Sequence, residues 1–125
     1  MQGAVLWQKA EGLVIFAAGG WLYLLGDGGI TWWIAILVFF APDLSFAGYL
    51  LGPKFGAFVY NCVHVYAFGA ALIVGGTALS LPLLSALGAL WLAHCGFDRM
   101  LGYGLKSTEG FHFTHLGRIG KQSRE

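Results

Sequence analysis

The sequence predicts an all-α fold: an integral membrane four-helix bundle with both termini in the cytoplasm. Three observations carry that expectation. Of 125 residues, 58% are apolar and only 10% charged, whereas soluble domains hold about 25% charged residues. Four long apolar runs approach the roughly 20 residues a helix needs to cross the hydrocarbon core. Finally, all seven Lys and Arg residues fall at or near one end of those runs. A soluble chain this short has little interior in which to hide so much apolar surface.

The first span is expected over residues 8–25, ending at Gly26-Asp27-Gly28-Gly29. The second covers 30–51 and closes at Gly52-Pro53-Lys54. The third covers 55–78. The fourth, 82–104, opens on Pro82, since proline in a first turn forfeits no hydrogen bond. Residues 105–125 form a cytoplasmic tail or lid, too polar to span but carrying Phe111, Phe113, Leu116 and Ile119. The whole is one membrane domain. Residues 1–12 do not read as a signal peptide, because Lys9 and Glu11 interrupt the apolar stretch.

With four spans, the N-terminus, the Lys54 connection and the tail share one side. Lys9, Lys54, Arg99, Lys106, Arg118, Lys121 and Arg124 lie on or border it, and the two opposite connections have no basic residue. Positive charge marks the cytoplasmic side, which predicts a bacterial cytoplasmic (inner) membrane protein with both termini inside. The tryptophans Trp7, Trp21, Trp32, Trp33 and Trp91 suit an interfacial belt. Gly19-Gly20 and Gly75-Gly76 suit close helix approach. A net charge of +1 offers nothing to a nucleic acid. Cys62 and Cys95 sit within apolar runs and read as reduced thiols.

Ionisable residues inside membrane spans are expensive and mark function by default. Here they are Asp43 in the second span, Asn61 and His64 in the third, and His94, Asp98 and Arg99 in the fourth. At 1.5 Å per residue, Asp43 lies about 12 Å from the cytoplasmic end of its span, His64 about 14 Å, His94 about 15 Å and Asp98 about 9 Å. Asn61 and His64 are spaced i, i+3, and His94 and Asp98 i, i+4, so each pair shares a helix face. Pro42 should disrupt its helix beside Asp43 and free a carbonyl. A polar, aromatic-walled pocket open to the cytoplasm follows.

Asp43, His64, His94 and Asp98 are the expected catalytic set, able to supply a general acid and a general base. Asp43 or His64 is the base; His94, oriented by Asp98, is the acid. The same four form a candidate site for zinc or iron. Haem between His64 and His94 fits less well, because the two carboxylates would stand beside the macrocycle. Glu11, Tyr49, Tyr60, Asn61, Trp91, Arg99, Tyr103, Lys106 and His115 complete the expected substrate-binding set, with Arg99 and Lys106 taking any anionic group. His112 is a weaker lid residue than His115. The expected substrate is a lipid or lipophilic small molecule, converted by isomerisation, cyclisation or hydrolysis. A proton-linked transporter built from a homo-oligomer is the second reading, and a purely structural clamp between helices the third.

Three stretches carry a family resemblance: Glu11-Gly12, APDLSFAGYLLGPKFGAFVYNCVHVYA from Ala41 to Ala67, and WLAHCGFDRMLGYGLK with THLGRIG near the end. In these the chain resembles a bacterial group of small four-span membrane proteins, classed as domain of unknown function 4260. The resemblance covers nearly the whole chain. It implies the four-span fold and places the polar set within the family pattern, and it implies no reaction.

Overall fold

The longest element, α1 (Gln2–Leu25), ends at the glycine cluster as expected but begins six residues earlier. In this computed structural model residues 2–103 are described, with the backbone of 106–107, 110–114 and 117–118. The structure is almost wholly helical. After α1 come α2 (Trp32–Phe40), a 3₁₀ stretch (Ala41–Leu51), α3 (Pro53–His64), α4 (Tyr66–Ala78) and α5 (Pro82–Met100). Pro53 and Pro82 each open a helix, where the missing N–H is no loss. Past Met100 the chain forms a small antiparallel meander of β1 (Lys106–Ser107), β2 (Gly110–Thr114) and β3 (Gly117–Arg118), lying beside α3.

Two of the expected spans are interrupted, the first at Pro42 as the sequence suggested and the second without such a marker. Trp32–Leu51 runs on as one rod, but its second half is 3₁₀ from Ala41. Pro42 supplies no N–H, and its ring crowds the preceding turn. Eleven residues is long for this conformation, which is rarely held beyond three or four. The second interruption lies at Val65, whose backbone is extended (φ −85°, ψ 146°). There α3 and α4 meet at a bend of 45°.

Glycine decides which helices touch. A Cβ on Gly12 would stand 2.5 Å from the Met100 nitrogen, and one on Gly96 would stand 2.4 Å from the Phe16 nitrogen. The α1–α5 seam therefore closes backbone to backbone, as small residues permit. Gly69 and Gly76 do the same for α4 against α5. Of the two glycine pairs singled out from the sequence, only Gly19 and Gly76 lie in such seams; Gly20 and Gly75 face open space. Lys9 reaches to within 3.1 Å of where a Gly102 Cβ would sit, so the start of α1 and the end of α5 share one end of the molecule.

The interior combines small apolar residues, such as Ala57, Ala89 and Ala93, with the polar His64, His94, Asp98 and Arg99. The largest fully buried side chains are Tyr60, His64, His94, Pro42 and Cys95, while Trp7, Trp32, Leu44, Leu50 and Leu51 stand in the open. Among the described residues one helical rod, Trp32–Leu51, is both long and apolar enough to cross a membrane, or two if the bent α3–α4 pair is a single span. Four were expected. Lys9 and Glu11 dilute the apolarity of α1, and His94, Asp98 and Arg99 that of α5.

Candidate metal centre

The break after His64 organises the site. Interrupting a helix frees carbonyls that must find other donors when buried. One face of α5 provides them at i, i+4 and i+8. Trp91 Nε1 donates to the Val63 carbonyl at 2.9 Å. The Cys95 thiol lies 3.5 Å from the same oxygen and 3.9 Å from that of Val65. Arg99 Nη2 donates to the His64 carbonyl at 2.7 Å, while its Nη1 donates to the Tyr103 carbonyl at 3.1 Å. The guanidinium also lies 5.6 Å from the centre of the Tyr66 ring. Arg99 is therefore a buried strut across the break, and its hydrogen bonds go to backbone rather than to an open anion site.

His64 itself is held by its own helix. Its Nδ1 lies 2.8 Å from the Tyr60 carbonyl, which can only accept, so Nδ1 carries the proton. Tyr60 stacks on the imidazole at 3.7 Å and 9°, and Phe46 stacks on Tyr60 at 5.3 Å. The ring is thus clamped in a column with its Nε2 lone pair facing inward. His94, one turn before Asp98 on α5, meets it there. Its ring is flanked edge-on by Phe39 and Phe40, and its Nδ1 has no hydrogen-bond partner among the described residues.

Four donor atoms converge. His64 Nε2 and His94 Nε2 are 3.2 Å apart. Asp43 Oδ1 lies 3.6 Å from the first and 3.2 Å from the second. Asp98 Oδ2 lies at 3.5 and 3.3 Å. The sixth separation, carboxylate to carboxylate, is no longer than 4.8 Å. A tetrahedral ion with bonds of about 2.0–2.1 Å has donor–donor edges of about 3.3–3.4 Å. Five of the six separations, 3.2–3.6 Å, bracket that length, so Asp43, His64, His94 and Asp98 lie close enough to hold one metal ion. The donor chemistry agrees. His64 Nε2 is an acceptor surrounded by two carboxylate oxygens and another imidazole nitrogen, and a single hydrogen bond relieves only one such pair at a time. Haem is a poor fit, since imidazole nitrogens 3.2 Å apart leave no slot for a macrocycle between them.

The other expected site residues are dispersed. Tyr60 and Trp91 contact His64 and the Val63 carbonyl, as above. Asn61 is half-buried on α3. Tyr49 packs over Gly56, and Tyr103 is exposed. Glu11 lines a separate apolar groove with Trp7, Val14 and Tyr66. Lys106 and His112 lie in β1 and β2, whose backbone alone is described, and His115 lies outside the described residues. Sequence reading missed the structural role of Cys95 and the break at Val65. The faint signal was the β-branched pair Val63 and Val65 around His64, which weakens a helix locally.

No curated protein and no solved structure gives a significant match to the chain. Residues 5–119 do match the family described as domain of unknown function DUF4260, and the chain belongs to that family.

Proposed function

We propose that this chain is a metal-dependent enzyme of the bacterial cytoplasmic membrane, a four-span bundle with both termini inside. Asp43, His64, His94 and Asp98 hold one divalent ion, zinc by coordination preference, and the substrate is a lipid or lipophilic small molecule. The single observation behind the metal is the convergence of four donor atoms within 4.8 Å of one another. Two imidazole nitrogens and two carboxylate oxygens suit zinc, whereas iron centres of the two-histidine, one-carboxylate type keep open positions in a larger shell. Support for the membrane comes from the exposed Trp7, Trp32, Leu44, Leu50 and Leu51 over buried His64, His94, Asp98 and Arg99, because lipid solvates exposed Trp and Leu while a bundle interior shelters paired polar groups.

A groove between α1, α2 and α5, about 440 Å³, suggests the substrate class. Its lining is almost wholly apolar and includes Phe16, Trp32, Ile36, Phe39, Phe40 and Phe97. Phe39 and Phe40 also pack against His94. A hydrocarbon chain lying in the groove has its polar end directed past those rings toward the cluster. When bound, a zinc ion polarises a carbonyl or phosphoryl oxygen. Asp43 accepts and returns the proton that hydrolysis, isomerisation or cyclisation requires, and Phe39, Phe40 and Phe97 keep bulk water from the buried side.

Metal analysis of the full chain purified in detergent tests this reading. The wild type should carry about one zinc per chain, and a His64→Ala, His94→Ala double variant almost none. Equal, negligible metal in both proteins overturns it.

A further inference from the structure

The four candidate ligands are not equivalent. Three of them come from α3 and α5 and are well shielded: the side chains of His64, His94 and Asp98 are 0%, 1% and 13% exposed. His94 and Asp98 sit within α5, and His64, the last residue of α3, is fixed by the Tyr60 carbonyl and the Tyr60 ring. The fourth differs in every respect. Asp43 is 39% exposed, and it follows Pro42 in the first turn of the 3₁₀ stretch. Long 3₁₀ runs are poorly hydrogen-bonded and mark hinges. Among the described side chains only His94 is placed to donate to Asp43, at 3.2 Å, because the nearer nitrogen of His64 is an acceptor.

We propose, on the basis of the metal reading above, that Asp43 is the exchangeable ligand. His64, His94 and Asp98 form a permanent three-donor platform, and Asp43 occupies the position that the substrate takes. Three protein donors plus one replaceable position is how catalytic zinc sites differ from closed structural ones. The exchange makes and breaks no covalent bond. Asp43 Oδ1 leaves the ion as an oxygen of the substrate arrives, and the freed carboxylate, still beside the centre, becomes the proton acceptor. The exposed side of Asp43 is then the direction of approach. The three buried ligands keep the ion in place while its fourth position changes hands.

Cobalt(II) is the probe, because its visible bands report coordination, and azide serves as the competing small ligand. Full-length protein in detergent is stripped with chelator and reloaded with cobalt. Azide should shift the wild-type bands without releasing the ion. Asp43→Asn should still bind one cobalt, with affinity lowered only about tenfold, and its azide-free bands should already differ from the wild type. His94→Ala and Asp98→Asn should lose at least about 100-fold, as removal of a platform ligand must exceed the 10- to 100-fold cost of losing an outer-shell contact. Cobalt loss by Asp43→Asn as complete as that of His94→Ala, with helical content intact, overturns the assignment and leaves the metal reading standing. Wild-type bands indifferent to azide overturn it as well, and that arm decides the matter if Asp43→Asn does not fold. A wild type that takes up neither cobalt nor zinc removes both proposals together.

Discussion

The Arg99 guanidinium donates to the His64 carbonyl at 2.7 Å, so a charged side chain on α5 completes the broken end of α3. His64 can turn its imidazole toward the cluster only because the backbone after it departs from helix. That departure is tolerable only because α5 supplies donors to the exposed oxygens. Arg99 is accordingly a positioning residue for the candidate metal centre. Arg99→Met should lower zinc affinity by about 10- to 100-fold, the usual cost of losing an outer-shell partner. Arg99→Lys, which keeps one donor, should recover part of the loss. Zinc competition titrations read against thermal unfolding separate the two effects, since a merely structural role lowers stability and leaves the affinity of the folded fraction unchanged.

The α1–α5 seam makes a second prediction. A Cβ at Gly12 meets backbone atoms of Met100 and Gly96 at 2.5 and 2.7 Å, and neither helix can yield locally. Gly12→Ala should destabilise the protein by about 1–3 kcal/mol, as overpacking does. Gly20→Ala, where nothing lies within 4 Å, should be neutral or slightly stabilising because alanine is the better helix former. Thermal unfolding of both variants in the same detergent checks the pair, and equal effects would contradict the seam.

The two cysteines report on the environment of the exterior. Cys62 is exposed on α3 and Cys95 is buried. If the exterior is lipid-facing, Cys62 in intact membranes should react with a lipophilic maleimide and resist a charged one. Cys95 should stay unlabelled until the protein is unfolded. Mass spectrometry after each treatment gives the answer, and rapid labelling of Cys62 by the charged reagent would count against a span through α3.

Orientation is the fourth. A fluorescent protein fused after Glu125 should fold and fluoresce in the cytoplasm, and an alkaline phosphatase fused at the same point should be inactive. The reverse pattern would place the basic end outside, against the charge bias.

Much of the site was legible from the chain because ionisable residues are rare in it and stand out against an apolar background. Spacing put His94 and Asp98 on one helix face, and depth put Asp43 and His64 near their level. Pro42 announced the disturbance beside Asp43. The bend at Val65 had no such marker, since valine is merely a modest helix former, and with it went the roles of Trp91, Cys95 and Arg99. Arg99 read as an anion binder from its charge alone; burial against the His64 and Tyr103 carbonyls gives it another occupation.

By itself the sequence determined the helical class, the positions of the glycine and proline breaks, and the identity of the four candidate ligands. Those properties reside in local pattern: the length of apolar runs, helical spacing, and residues with special backbone needs. The tertiary structure decided which polar groups face one another and at what distance. It brought donor atoms of Asp43, His64, His94 and Asp98 within 4.8 Å of one another and sent Arg99 to the helix break instead. Convergence of that kind depends on how closely α1, α4 and α5 approach and on where a helix gives way. Both are set by contacts between residues far apart in the chain.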